Sequence, residues 1–268
     1  MTFEIEYVGR KNDRYPVGFK CDIEAYYILL KCSKNKDSTE WNLWRNANKK
    51  DEIYLQGAEL RDFNLKEADF RYVHCEQAKF FAAHCEKADF YFAHCEGAIF
   101  RGAHCEGANF DSTHCDGADF IGSFCIQACF ENALCEKTKF EGAHCERARF
   151  IGTYCREGSF TAAYLGDTIF YQADITGTDF FFVKLTQETL IGECAVSDET
   201  MFINCSLSSV TIDPGTRAKL EQNARRHAWE EWYPDQNFFC AYSPNGSGIF
   251  LITDTAQFAY SNGFFYSF

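Results

Sequence analysis

The 268-residue chain predicts an all-β fold, a solenoid of stacked coils, and three observations lead there. Every fifth residue from Leu55 to Leu190 is apolar, and from Phe70 to Phe160 those positions alternate between phenylalanine and cysteine. Two residues before most of them stands a small one, Ala58, Ala68 and Ala78 through Ala148, with Thr113, Ser123, Thr138, Thr153 and Gly158 as variants. Neither a helix nor a simple strand repeats every five residues. A chain that runs straight, turns and repeats can do so, and stacking such turns buries a continuous core.

In an extended segment a residue and its second neighbour point to the same side, so the small and large residues share the interior while the one between them faces water. Volume then argues for four sides. With four five-residue sides per coil, Phe70, Phe90, Phe110, Phe130 and Phe150 form one column and Phe80, Phe100, Phe120, Phe140 and Phe160 the opposite one. Cys75, Cys95, Cys115, Cys135 and Cys155 fill a third column, and Cys85, Cys105, Cys125 and Cys145 a fourth. Each layer holds two large and two small residues, whereas three sides would give layers of unequal content and therefore voids.

The triplets Ala68-Asp69-Phe70, Ala78-Lys79-Phe80, Ala88-Asp89-Phe90 and Ala98-Ile99-Phe100 resemble the pentapeptide-repeat family, whose consensus is close to A-(D/N)-(L/F)-x-x. The likeness extends over residues 51–212. It implies a right-handed four-sided parallel β-helix solenoid of about eight coils and about 38 Å at the usual strand spacing, with N- and C-terminal α/β capping regions.

The repeats are flanked by 1–50 and 213–268. In the first, Thr2 to Val8 alternates like a strand, the apolar Ala25–Lys31 suggests further sheet within 1–36, and Asp37-Ser38-Thr39-Glu40 reads as a capping box. That box opens an amphipathic helix over 38–48, whose Trp41 and Trp44 would lie on the first coil. From about Leu185 the repeat is expected to end or bulge, because the small inward position falls on Glu188, Glu193 and Asp198. Asp213-Pro214 starts a helix, and Phe238–Tyr242 and Ile249–Thr253 flank a turn as a hairpin. The aromatic residues of this last segment are expected either to pack on the final coil or to form a partner or dimer surface.

Fifteen cysteines would usually suggest disulfides or metal clusters. The strict spacing of ten and the lack of any C-x2-C pair argue instead for buried thiols. No stretch approaches the roughly 18 apolar residues of a membrane helix, and the N-terminus has no signal-like layout, so a cytoplasmic location is expected. The net charge is −13, and residues 56–213, with 25 acidic and 12 basic side chains, carry all of it. Nucleic-acid binding is excluded, since it needs a basic face to replace counterions.

The repeated triplet His74-Cys75-Glu76, His84-Cys85-Glu86, His94-Cys95-Glu96, His104-Cys105-Glu106 and His144-Cys145-Glu146 invites a catalytic or metal-binding reading. The fold opposes it, because cysteine points inward and its neighbours outward, so the imidazole and thiol cannot act together. The open histidine rows lack an enclosed ligand geometry, so neither metal nor cofactor is expected. Cys240 and His227 form no recognised arrangement, and no enzymatic site is expected.

What remains is the outer surface of a rod, and the first reading is a non-catalytic scaffold for protein–protein interaction with an unidentified protein partner. Its candidate acidic surface comprises Glu76, Glu96, Asp116, Glu136, Asp167, Asp174, Asp179, Glu188, Glu193, Asp198 and Glu199. The second reading rests on partial resemblance to the quinolone-resistance members of the family, which protect DNA gyrase. It implies an acidic DNA mimic that binds a type II topoisomerase. The chain has no long loop inserted between coils and carries a C-terminal extension in place of a short terminal helix, which ranks that reading second.

Overall fold

Tight turns at five-residue intervals set the architecture. Phe70 O accepts the amide of Val73 at 3.1 Å and Cys75 O that of Ala78 at 2.9 Å, while Tyr72 and Gln77, third in each turn, have φ of 61° and 56°. That is the type II pattern, in which the third residue must enter the left-handed region. The computed structural model describes residues 20–48, 52–197, 200–203, 207, 210–227 and the strands at 232–233, 238–242, 249–253, 257–261 and 264–267.

Between turns the backbone is extended just long enough for one parallel bridge per side. Tyr54 bridges His74, Glu59 bridges Lys79, Asn64 bridges His84 and Asp69 bridges Asp89, each pair twenty residues apart. Four sides therefore close one coil. Within a side the amides alternate in direction: His74 N donates back to Ile53 O at 2.9 Å, and Cys75 N forward to His94 O at 2.6 Å. Every extended segment is thereby bonded to the coils on both sides, which leaves few backbone groups unpaired.

Side chains fill the tube as the repeat implies. Phe70 lies parallel to Phe90 at 4.8 Å and Phe80 to Phe100 at 4.6 Å, while the two columns meet edge to face, Phe90 against Phe100 at 5.5 Å and 88°. This combines the two aromatic geometries the ring quadrupole favours. Among the residues with described side chains, every cysteine is a free thiol. Thr113, Thr138, Thr153, Thr168 and Thr178 occupy small inward positions, where each hydroxyl donates to a carbonyl of the preceding coil, as Thr113 does to Phe90 O at 2.7 Å. Phe90 O already accepts the Ala93 amide, so the hydroxyl takes its second lone pair and a buried polar group is satisfied without a gap.

Beyond Lys184 the repeat does not decay; it changes frame. Ile169 pairs with Leu190 and Asp174 with Ala195, a step of 21, and Asp179 with Met201, a step of 22. One extra residue at each of two corners moves the inward set to Thr189, Ile191, Cys194 and Thr200, all buried, and Phe202 stacks on Phe180 at 4.1 Å. The expected inward residues Glu188 and Glu193 are instead exposed, and Leu190 is half-buried at the bridge position. Asp198 lies outside the described residues. Here the sides lengthen into the parallel strands β1 (Ile169–Tyr171), β2 (Asp179–Phe181), β3 (Leu190–Gly192), β4 (Met201–Ile203) and β5 (Thr211–Ile212), paired β1-β3-β5 and β2-β4.

Before the solenoid come two helices, α1 (Ile23–Asn35) and α2 (Thr39–Ala47). The first corrects the sheet expected around Ala25–Lys31: Ala25, Leu29 and Cys32 recur at helical spacing and are buried, and Lys36 ends the helix with φ of 55°. The expected strand at Thr2–Val8 lies outside the described residues. At the start of α2 the reciprocal capping box does not form; Asp37 Oδ1 accepts the Thr39 amide at 2.9 Å, and Glu40 pairs with Lys31. Trp41 is fully buried, 5.7 Å from Phe70, and donates its indole N–H to Asp69 O at 2.9 Å.

After β5, Asp213 Oδ1 accepts the amides of Gly215 and Thr216 and so starts α3 (Pro214–His227). The chain ends in an antiparallel sheet ordered β10-β9-β8-β7-β6. Its β7 (Phe238–Tyr242) and β8 (Ile249–Thr253) pair Tyr242 with Ile249, and β6 (Trp232–Tyr233), β9 (Gln257–Ser261) and β10 (Phe264–Ser267) extend it beyond a single hairpin. Where the aromatic side chains of this sheet pack lies outside the described residues.

Two substitutions test this construction. Phe110→Ala empties a site touched by four rings, Phe90, Phe100, Phe120 and Phe130, and is expected to lower stability by about 3–5 kcal/mol in urea unfolding. Gly102 sits at a corner with φ of 65°, and an added Cβ would meet nothing within 4 Å, so Gly102→Ala isolates the backbone cost alone. A loss of about 1–2 kcal/mol is expected, and an unchanged melting temperature would show that the corner tolerates the strain.

Candidate functional site

With the interior closed by phenylalanine and thiols, the side chains left for recognition are those of the corners and bridges, displayed in columns one coil apart. Glu76, Glu96, Asp116 and Glu136 occupy one such column at the corner after the first cysteine column. Like charges at about 4.8 Å repel by about 0.9 kcal/mol in water, so an unbroken acidic column needs compensation. Along its lower part the histidines of the preceding bridge column stand beside the carboxylates: His74 Nδ1–H donates to Glu76 Oε1 at 3.0 Å, and Glu96 Oε1 lies 3.5 Å from the Nδ1 of both His94 and His114. Lys137 pairs with Glu136 at 3.1 Å.

The rings of that bridge column stack as the phenylalanines do inside. Tyr54 covers His74, which lies on His94 at 4.5 Å and 7°, but His114 tilts by 46° against His94. The adjacent reason is chemical. Asp116 is one methylene shorter than the glutamates of the other triplets and its Oδ1 accepts the Glu136 amide at 2.8 Å, and the next bridge residue is Leu134 rather than a ring, so His114 turns to the carboxylate of the coil below. A second column runs His84, His104, Phe124, His144, Tyr164, all stacked within 13°, with the Lys184 ammonium 4.0 Å over the last ring.

The C-terminal half of the expected acidic surface is arranged differently. Asp174 receives Arg156 at 2.6 Å; burial pushes its carboxyl up, but the Thr176 hydroxyl and the guanidinium hold it below its usual value. Asp167 is held low by Thr186 and by Arg147 at 3.3 Å, and Glu193 by the Tyr171 hydroxyl and by Gln172. Glu188 is exposed. Asp198 and Glu199 lie outside the described residues. The structure thus joins Glu76, Glu96, Asp116 and Glu136 into one strip and distributes the remaining described acids over other columns, two of them, Asp167 and Asp174, paired with arginine.

Asp179 is a different kind of group, and composition gave no sign of it. It lies at a bridge position where burial, and then the charge of Glu141, push its carboxyl up to about 6. Glu141 is itself raised by burial. Among the interior thiols, burial and the neighbouring thiols push Cys95, Cys105 and Cys115 well up, whereas hydrogen bonds from Cys115 and Cys155 draw Cys135 down; all four are sealed inside the tube, out of reach of a substrate.

The five-residue period is shared with a known sequence profile. The sequence profile described as pentapeptide repeats matches in eight copies over residues 51–84, 88–124 and 128–165. No curated protein matches the sequence. Similar solved structures include trypsin-treated QnrB1, a plasmid-mediated fluoroquinolone resistance protein, at 16% identity over 59% of this chain and 83% of that one, with a TM-score of 0.47. A pentapeptide repeat protein from the Arabidopsis thaliana thylakoid lumen is 24% identical over 34% of this chain and 61% of its own, with a TM-score of 0.25. HetL, a pentapeptide repeat protein involved in heterocyst differentiation regulation from the cyanobacterium Nostoc sp. strain PCC 7120, is 16% identical over 57% and 92%, with a TM-score of 0.19.

Because Asp179 binds its proton more tightly folded than unfolded, its ionised form lowers stability above about pH 6, and this penalty fades as pH falls toward the unfolded value of about 3.9. Asp179→Asn is expected to raise the melting temperature at pH 8 and to lose that advantage by about pH 4. A gain of equal size at both pH values would show that ionisation is not its source.

Proposed function

Since the chain belongs through residues 51–165 to the pentapeptide-repeat family, we propose that it is a non-catalytic scaffold that binds a protein partner through its outer columns. The observation that carries this reading is the register of the side chains: twenty-residue bridges place Glu76, Glu96, Asp116 and Glu136 on one straight line of a rigid surface. A partner that presents a row of basic side chains one strand spacing apart, as successive strands of a sheet do, fits that line, with each cationic group meeting one carboxylate and relieving its repulsion from the next. About eight coils closed by the Trp41 helix at one end and by α3 at the other would keep the line straight along its length.

Mimicry of DNA toward a type II topoisomerase fits less well. A duplex offers unbroken rows of phosphate, one charge per about 1.7 Å. On this rod many carboxylates are neutralised between coils: Asp119 by Arg101, Glu131 by Arg149, Asp167 by Arg147, Asp174 by Arg156 and Glu86 by Lys66. These pairs break the charge rows that mimicry needs.

Charge reversal of the strip, E76K/E96K/D116K/E136K, separates the two readings. If the strip is the docking line, the variant keeps its circular dichroism but loses the partner that the wild-type chain retains in quantitative affinity purification, and neither protein alters gyrase supercoiling with or without a quinolone. Equal partner recovery by both proteins would exclude the strip. Inhibition or protection of gyrase by the wild type alone would favour mimicry.

A further inference from the structure

The geometry points to a divalent transition-metal site, of the kind that takes zinc, at His94, Glu96 and His114. It contradicts the sequence-level expectation that the histidine rows hold no metal, and it does not depend on the partner reading. Three His-Glu-His sets along the rod bring one ligand atom from each residue within 4.8 Å of the others: His74-Glu76-His94, His84-Glu86-His104 and His94-Glu96-His114. Spacing alone does not distinguish them; ring orientation does.

A metal lies in the plane of each imidazole that binds it, along the nitrogen lone pair. In the first two sets the rings are parallel within 7° and 11°, so their in-plane lone pairs run side by side and do not meet. In the third the planes are inclined by 46° and both Nδ1 atoms face the same oxygen, Glu96 Oε1. Both Nδ1 to Oε1 distances are 3.5 Å, long for a hydrogen bond. They are close to the ligand-to-ligand edge of a tetrahedron built with bonds of 2.0–2.1 Å, about 3.4 Å.

A second observation supports the site. Glu96 Oε2 is buried and finds no protein hydrogen-bond partner among the described residues, as is also true of Glu76 and Glu86, so the carboxylate has unused acceptor capacity at the site, and only at Glu96 does its Oε1 face two inclined imidazoles. The side chains of His94, Glu96 and His114 are about one-third exposed, which leaves an open face for entry and for a fourth ligand. Two histidines and a glutamate with the fourth position open is a usual zinc donor set; the neutral rings would carry their proton on Nε2 and present Nδ1 to the metal. Asp116 acts as a positioning residue, because its short side chain is what frees His114 to tilt.

The second column supplies the conservative substitution. Phe124 stacks on His104 at 4.8 Å and 9°, so phenylalanine replaces histidine in such a stack without loss of packing. The experiment is a titration of the full chain with Co2+ followed by its visible d–d bands, then displaced by Zn2+, with thermal melts of each variant as the folding control. The wild type is expected to show one tetrahedral Co2+ per chain. His114→Phe should abolish the bands at an unchanged melting temperature, Asp116→Glu should weaken binding by about tenfold or more by drawing His114 back to its own coil, and His144→Phe, whose stack neighbours are Phe124 and Tyr164, should change nothing. Co2+ binding that survives His114→Phe, a thiolate charge-transfer band in the near ultraviolet, or no tetrahedral spectrum in the wild type would each overturn the assignment.

Discussion

Everything in this protein depends on the match between two distances: the separation of parallel β-strands and the preferred spacing of stacked aromatic rings. From Phe70 to Phe180, phenylalanines one coil apart lie 4.6–5.1 Å from each other along both columns. The backbone ladder can therefore close at its natural length while the rings reach their own minimum. Because the opposite columns meet edge to face, a coil cannot rotate against its neighbour without losing both contacts at once. Cysteine and alanine fill what the rings leave, and threonine does so where its hydroxyl can reach a carbonyl of the coil below.

The same spacing governs the outside, where it is less forgiving. Carboxylates placed one coil apart repel, and the surface answers in two ways. Toward the C-terminal end arginines reach along the axis to acids of the following coil, as Arg156 does to Asp174 and Arg147 to Asp167. Toward the N-terminal end histidines stand beside the glutamates and stack on one another. A rod with a uniform interior can thus carry a surface that differs from one length to the next, which suits a scaffold better than a phosphate-like row would.

Some elements were legible in the residues and others were hidden for definite reasons. The strand pairs of the C-terminal sheet include the runs Phe238–Tyr242 and Ile249–Thr253, and the second hairpin had its own signal in the alternation of Phe258 and Tyr260 before Asn262-Gly263. Ala25–Lys31 misled because a short apolar run reads equally as strand or helix, and only the burial of Ala25, Leu29 and Cys32 separates them. Beyond Lys184 a fixed count of five kept pointing to Glu188 and Glu193, because one residue added at a corner leaves the chemistry of the repeat intact and moves only its phase. The tilt of His114 had a visible cause in the change from glutamate to aspartate at 116, yet its consequence lies in contacts between coils.

By itself the sequence determined the period, the inward placement of phenylalanine and cysteine, the separation of each histidine from its neighbouring thiol, and the acidity of the rod. These follow from local geometry, since residues i and i+2 share a face wherever the chain is extended. The tertiary structure alone decided which acids remain free and which are neutralised, why Asp179 resists ionisation, and which two histidines converge on one carboxylate. Those properties arise between residues about twenty apart in the chain, and they depend on the registry of one coil upon the next.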